Sequence, residues 1–275
     1  MLVMKLNKEI AVVTGATSGL GLSYAKRLAE DGYNLIITGR REEIVKANAK
    51  KIEQQYNCNV EVCIADLSNE SGVNKLIGVI GNRNISFLVN NAGFGLKTTF
   101  EDTNYHDIER LLYLQIMALT KLTYFVLHGM RRQNKGTIIN ISSDGAFAVL
   151  PRNVVYSSSK LYIINFTEGL HMELKDCAVK VQAVCPGFID SDFHARAGIS
   201  VDKARKGMFG FHKPEDIMKH AMRDLEKNIV VCVPDQGGKL IKLIGKYMPR
   251  NMFYKYASWF SSSIIKKNHK ISSLK

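Results

Sequence analysis

Short apolar runs that stop at turn residues alternate with stretches of helical periodicity along most of the chain. The runs are Glu9–Thr14, Asn34–Thr38, Val60–Ile64, Ile85–Val89, Thr137–Ile141, Val179–Cys185 and Ile229–Val233. Their length and their content of Val and Ile read as buried strands of a parallel sheet. Between them, apolar spacing predicts helices over Leu22–Glu30, 41–56, 69–81 and Thr103–Arg132, then a helix carrying Tyr156 and Lys160, and one that Pro214 starts. Alternation of this kind specifies an α/β fold built on a doubly wound parallel sheet. The Thr103–Arg132 pattern is apolar nearly all round, so its helix packs on the sheet and on something else, such as a second subunit.

A chain of 275 residues with 46% hydrophobic content can bury one large core. Residues 1–238 read as that single domain and 239–275 as a C-terminal extension. Five cysteines form no C-x-x-C and fall mostly in apolar runs, which suits buried thiols in a reducing cytoplasm. The opening residues lack the apolar core of a secretory signal, and no segment approaches the ~18 apolar residues of a spanning helix. The net charge of +13 is concentrated at the end, where residues 239–275 carry Lys and Arg but no Asp or Glu. There, basic and apolar residues alternate at helical spacing from Lys239 to Met248, and aromatics follow through Phe260. A basic amphipathic helix either lies on an anionic membrane as a peripheral contact or turns its apolar face to the substrate pocket or a subunit. No recognition motif accompanies the charge, so no nucleic acid is expected.

Chemistry gathers where strands end. After the first strand comes Gly15-Ala16-Thr17-Ser18-Gly19-Leu20-Gly21, a glycine-rich turn opening a helix. Such a turn lets backbone amides approach a pyrophosphate, or simply closes a tight join. The second strand runs into Gly39-Arg40-Arg41, two cations suited to a 2′-phosphate where an NAD site has an acid; alternatively they begin a solvated helix against Glu42 and Glu43. Asp66, before Leu67, is placed to accept from an adenine amine or to cap a helix. Asn90-Asn91-Ala92-Gly93 suggests close backbone packing beside a ligand. Ser143 ends the fifth run, and Tyr156 and Lys160 are spaced to share one helical face. An ammonium beside a phenol favours the phenolate, so Tyr156 is a candidate acid/base whose pKa is expected to fall. Pro186-Gly187 stops the next strand. Residues 190–213 read as a lid, and Phe94, Phe147 and Phe188 as the walls of a pocket for a hydrophobic group of moderate size. The seven histidines make no metal-ligand spacing, and no metal is expected.

Together, Thr14-Gly15-x-x-x-Gly19-x-Gly21, Asp66-Leu67, Asn90-Asn91-Ala92-Gly93, Ser143, Tyr156-x-x-x-Lys160 and Pro186-Gly187 resemble the short-chain dehydrogenase/reductase family over residues 7 to about 235. The resemblance implies a Rossmann-like fold, NAD(P) as hydride carrier and a carbonyl or alcohol substrate, and Arg40 and Arg41 make NADP(H) the preferred form over NAD(H). It implies Tyr156 as acid/base, Lys160 tuning it and holding the nicotinamide ribose, and Ser143 orienting the substrate oxygen. It places the dinucleotide along Gly15, Thr17, Ser18, Gly19, Leu20, Gly21, Arg40, Arg41, Asp66, Leu67, Asn91, Ala92, Gly93, Pro186, Gly187, Ile189 and Ser191, in a homodimer or homotetramer. Within the family, Asn91–Gly95 and the basic tail look like a broad bacterial and archaeal group of reductases. One position departs from the pattern. Where such enzymes carry an asparagine that distorts the long helix and holds a water for proton relay, this chain has Gln115, longer by a methylene and a better helix former. An altered relay, with altered pH dependence, is the expectation.

Overall fold

β1 (Ile10–Thr14) lies inside a seven-stranded sheet in the computed structural model, which describes residues 8–96, 98–149, 151–152, 154–190, 212–255 and 257. To one side stand β2 (Asn34–Gly39) and then β3 (Val60–Ile64); to the other follow β4 (Ile85–Asn90), β5 (Gly136–Ile141), β6 (Val179–Val184) and β7 (Val231–Cys232). Every pairing is parallel. The winding reverses between β1 and β4, so the loops leaving their carboxyl ends diverge and open a crevice, as in Rossmann-like sheets generally.

Helices cover both faces because successive strand residues point to opposite sides. Ala11 and Val13 of β1 feed a core with α1 (Gly19–Glu30), α2 (Glu42–Tyr56) and α7 (Pro214–Glu226), whereas Val12 between them feeds the core under α3 (Glu70–Ile80) and α5 (Leu119–Gln133). One polar chain crosses the second core. Asn90 Nδ2 donates to Thr123 Oγ1 (3.1 Å) and to Asn140 Oδ1 (2.9 Å), and Asn140 Nδ2 donates to Thr167 Oγ1 (3.0 Å). These bonds tie β4 and β5 to α5 and to α6 (Val154–Glu173), so the two helices are held at fixed positions along the sheet.

The periodic stretch expected over Thr103–Arg132 is one rod with a fault in it. α4 (Tyr105–Leu112) passes into a π-helical segment, Tyr113–Ala118, and then into α5. By length and composition Tyr105–Gln133 could cross a bilayer, but Ile108, Leu111, Leu122, Val126 and Met130 are buried in the fold, as a core helix requires. Its other side leaves Met117, Tyr124 and Phe125 exposed. The last strand is also shorter than the apolar run Ile229–Val233. The Ile229 amide turns back to the Asp224 carbonyl (2.9 Å), and Pro234 has no amide to continue the ladder.

Helix α8 (Gln236–Tyr247) begins three residues before the expected extension. Asp235 caps it, Oδ1 accepting from the Gly238 amide (2.6 Å). α8 lies on the 3₁₀ turn Asp144–Phe147, and Gly245 makes the approach possible because a Cβ there would collide with the Phe147 carbonyl.

Candidate active site

Thr14, at the carboxyl end of β1, joins the glycine turn to the loop after β4. Its Oγ1 accepts from the amides of Asn91 (2.9 Å) and Ala92 (3.0 Å) and donates to the Val89 carbonyl (3.3 Å). In return, Asn91 Nδ2 donates to the carbonyls of Thr14 (2.9 Å) and Gly15 (3.1 Å). Gly15 and Gly19 adopt φ of 69° and 58°, the left-handed region that favours glycine. At Gly21 a Cβ would strike both Asn91 Nδ2 and the Gly15 carbonyl. Leu20 is buried beneath the turn. Ser18, the residue preceding α1, makes no side-chain cap bond, which leaves amides of the first helical turn available to an anion. The turn therefore fits a pyrophosphate. Asn48, unremarked in the sequence, braces it from α2 by donating to the carbonyls of Ala16 (3.3 Å) and Thr17 (3.0 Å).

Arg41 reaches back over the turn to Ser18 Oγ (3.3 Å), while Arg40 stands 3.8 Å from Asp66 Oδ2. Asp66 does not cap α3; Asn69 does, accepting from the Gly72 amide (2.9 Å). Instead Asp66 Oδ1 accepts from the Ser68 amide (3.0 Å) and hydroxyl (2.7 Å), and Oδ2 accepts from Arg110 (3.3 Å). Burial pushes its pKa up, but the Ser68 hydrogen bonds and the charges of Arg40 and Arg110 outweigh it and leave the carboxyl below its ordinary value. Leu67 is buried beside it. Arg110, on α4, also lies 5.9 Å from the centre of the Phe94 ring. Its local partner Asp107, 3.7 Å away on α4, gave an ordinary helical pair in sequence, and the contacts with Asp66 and Phe94 come from other elements.

Ser143, Tyr156 and Lys160 converge where β5 ends. Lys160 is 5% exposed, and its Nζ donates to the Ile141 carbonyl (2.9 Å) and stands 5.6 Å from the centre of the Tyr156 ring. Burial pulls the lysine down to about 8, with Cys185 acting the other way. Tyr156 is hydrogen-bonded with Ser143, yet its phenol is pushed up to about 12, by burial first and by the nearby Asp144 charge. The expected depression is therefore reversed: desolvation exceeds any help from a lysine directed at a backbone carbonyl.

Gln115 is 1% exposed and sits in the π-helical segment. Its Nε2 donates to the Phe94 carbonyl (2.7 Å) and its Oε1 accepts from Ser159 Oγ (2.8 Å), which also bonds the Tyr156 carbonyl (2.8 Å). Glutamine thus occupies a distorted helix despite its helical propensity, because partners on the loop after β4 and on α6 hold both ends of its amide. Gln115 Nε2 and Lys160 Nζ lie equally far, 3.7 Å, from the point where a Gly93 Cβ would stand. Behind them a cavity of about 10 Å³, lined by Asn90, Ala92, Gln115, Ile141 and Lys160 among others, has room for about one water molecule.

At the end of β5, Ser143 heads the Asp144–Phe147 turn, its Oγ accepting from the Gly145 amide (3.1 Å). Phe147 has Lys242 of α8 at 5.7 Å from its ring centre. Phe188 is partly buried after Pro186 and Gly187, and its carbonyl accepts from the His212 amide (2.9 Å), beside the bridge of Ile189 to His212. Ser191 and the expected lid through residue 211 lie outside the described residues. Asp235, which sequence reading passed over, accepts the Gly187 amide on Oδ2 (3.0 Å); the run Pro234-Asp235-Gln236-Gly237-Gly238 after the last strand was the available signal. Elsewhere, His220 and Asp224, one turn apart on α7, meet Cys232 of β7 with ligand atoms within 4.8 Å of one another. The histidine spacing had not suggested this group, since the cysteine comes from another element.

A family model described as short chain dehydrogenase matches residues 9–200. The chain belongs to the short-chain dehydrogenase family. It is 32% identical over 226 residues to an uncharacterized oxidoreductase of Staphylococcus saprophyticus, covering 82% of this chain and 94% of that one. It is 34% identical over 221 residues to a 3-oxoacyl-[acyl-carrier-protein] reductase of Aquifex aeolicus, covering 78% and 88%. Among solved structures, a short-chain dehydrogenase from Sphingobium yanoikuyae in complex with NADPH superposes with a TM-score of 0.78 at 28% identity, over 86% of this chain and 92% of that one. Membership makes this chain an oxidoreductase that uses a nicotinamide dinucleotide, and the crevice above β1 and β4 has the amides and glycines to hold one.

In this short-chain dehydrogenase Gln115→Asn, shorter by a methylene, is expected to lose either the Phe94 or the Ser159 contact. Leaving a buried polar group unpaired costs about 1 to 3 kcal/mol, to be read from urea unfolding. The pH profile of turnover is expected to move as well; a variant with wild-type rate and profile would remove Gln115 from the catalytic group.

Proposed function

We propose that this short-chain dehydrogenase is an NADP(H)-dependent reductase that converts a ketone or aldehyde to an alcohol, with Tyr156 as general acid. The observation that carries the reading is the meeting of Ser143, Tyr156 and Lys160 at the end of β5, beside a glycine turn built for a pyrophosphate. When bound, the dinucleotide supplies hydride from its nicotinamide. The chain's own residues do the rest. Ser143 orients the carbonyl oxygen, Tyr156 gives it a proton, and Lys160 steadies the charge left on the phenol. A phenol held at about 12 is protonated at neutral pH, which suits donation to a carbonyl better than abstraction from an alcohol.

Arg40 and Arg41 support a 2′-phosphate, one beside Asp66 and the other over Ser18. The relative from Sphingobium yanoikuyae, described in complex with NADPH, agrees with this choice. Phe94, Phe147 and Phe188 suit a hydrophobic substrate of moderate size. The exposed Met117, Tyr124 and Phe125 support a homodimer or homotetramer that covers them. The outer face of α8 and the helical residues 250–255 after it expose Leu240, Leu243, Tyr247, Met252 and Tyr254 among Lys239, Lys246, Arg250 and Lys255. That mixture favours peripheral contact between a cytoplasmic protein and an anionic membrane surface.

Titration of nicotinamide fluorescence should show NADPH binding more tightly than NADH, with the preference reduced at least tenfold, about 1.4 kcal/mol, in Arg40→Asp. Equal binding of both dinucleotides by the wild type would overturn the arginine reading, and binding of neither would overturn the reductase. Tyr156→Phe should keep NADPH affinity and lose about 10²-fold or more in kcat; full turnover would exclude Tyr156 as the acid. For the membrane contact, Leu240→Ser/Leu243→Ser/Tyr247→Ser is preferable to truncation, because α8 also supports the serine turn. Wild type should float with phosphatidylserine vesicles and the triple variant should not; if the two behave alike, this face does not bind lipid.

A further inference from the structure

Asp144 is a half-buried carboxyl group with no part in the chemistry described so far, and it adjoins Ser143 in both sequence and space. The Ser143 hydroxyl donates to Asp144 Oδ1 (3.2 Å) while accepting from the Gly145 amide. On its other side Asp144 meets a second acid. Oδ2 of Asp144 and Oδ2 of Asp235 each lie 3.2 Å from the point where a Gly187 Cβ would stand, so the two carboxyls flank one glycine. Asp235 is 7% exposed and has its oxygens committed to the amides of Gly187 and Gly238. Among the described residues neither acid has an ion-pair partner.

We propose that Asp144 is a positioning residue whose protonation, governed by Asp235, decides whether the Ser143 hydroxyl points at the substrate oxygen or away from it. A serine has one proton to give. When Asp144 is ionised, its charge-assisted bond holds that proton, and the serine offers the substrate only a lone pair. When Asp144 is neutral, its own O–H donates to Ser143 Oγ, and the serine proton is released toward a carbonyl. The phenol feels the same change, since the Asp144 charge opposes loss of the Tyr156 proton. Both effects favour reduction while Asp144 is neutral.

The surroundings keep that neutral form within reach. Burial and then the Asp235 charge push Asp144 up to about 6, against the hydrogen bonds from Ser143 and Gly145. The other charged or titratable groups facing this corner are Tyr156 from α6, Cys185 at the end of β6 and Lys242 from α8, whose ammonium lies over Phe147. Lys160 is beyond them, directed at Ile141. The pair also makes a physical link. Asp144 donates its amide to the Pro186 carbonyl (3.0 Å), and Asp235 holds Gly187, so the turn that follows β6, the head of α8 and the serine meet at these two acids.

This inference rests on the reductase reading, and the experiment separates the two. First, wild-type NADPH-dependent reduction is followed from pH 5 to pH 9 on a panel of hydrophobic ketones. The rate should fall above about pH 6 by at most tenfold per unit, to the level of the ionised form. Asp144→Asn, whose amide donates to Ser143 at every pH, should lose that inflection, and Asp235→Asn, still able to cap α8, should move it to lower pH. An inflection unchanged in Asp144→Asn, or unmoved in a folded Asp235→Asn, would overturn the proposal. If wild type reduces nothing, the reductase reading fails, and ¹³C-carboxyl NMR of the wild type judges the pair alone, with the Asp144 signal assigned by its loss in Asp144→Asn. A midpoint near 6 that drops in Asp235→Asn supports the coupling; a midpoint near 4 in both proteins refutes it.

Discussion

A buried ammonium at the end of β5 is the constraint around which this molecule is arranged. Lys160 is nearly inaccessible, and the drop in its pKa to about 8 corresponds to roughly 3 kcal/mol against the charged form. Such a charge persists only where polar groups face it, and in the described residues one backbone carbonyl, that of Ile141, is its hydrogen-bond partner. Neighbouring elements are therefore set to fine tolerances. The π-helical segment presents Gln115 toward Gly93, the Asn90–Asn140–Thr167 chain fixes α6 against β5, and a cavity the size of a water borders the amine. A lysine so poorly solvated is poised to pair with an incoming group that brings oxygens of its own.

The sheet was legible because parallel strands buried on both faces leave continuous apolar runs that stop at glycine, proline or asparagine. The glycine turn was legible for a related reason, since Gly15, Gly19 and Gly21 each answer a local backbone demand. Features made by side chains from distant elements left no such trace. Arg110 and Asn48 lie in ordinary helical sequence and gain meaning only from Asp66 and the Ala16 and Thr17 carbonyls. The fault in the long helix was hidden because periodicity reports which side faces the core and not whether one extra residue is accommodated in a turn. The tyrosine went the wrong way for an energetic reason. Sequence shows a lysine four residues away, but it does not show that the lysine is turned to a carbonyl and that the phenol is desolvated.

Helix α8 changes the meaning of the basic tail. In sequence it looked separable from the domain, a cationic appendage with a choice of surfaces. In the structure α8 has two faces with different work: one lies on the Asp144–Phe147 turn through Gly245, and the other presents Leu240, Leu243 and Tyr247 outward. The helix is part of the candidate site and part of the surface at once, so whatever its outer face meets is one helix diameter from the serine.

The close contact between Gly245 and the Phe147 carbonyl also sets an order of assembly. The turn that carries Ser143 is read early in synthesis, but the element that presses on it comes about a hundred residues later. A nascent chain can complete β1 to β6 and the dinucleotide turn while the serine turn still lacks its backing. A helix made well after the serine turn is thus the one that completes the candidate site, and a chain stopped before α8 can hold the sheet without holding the chemistry.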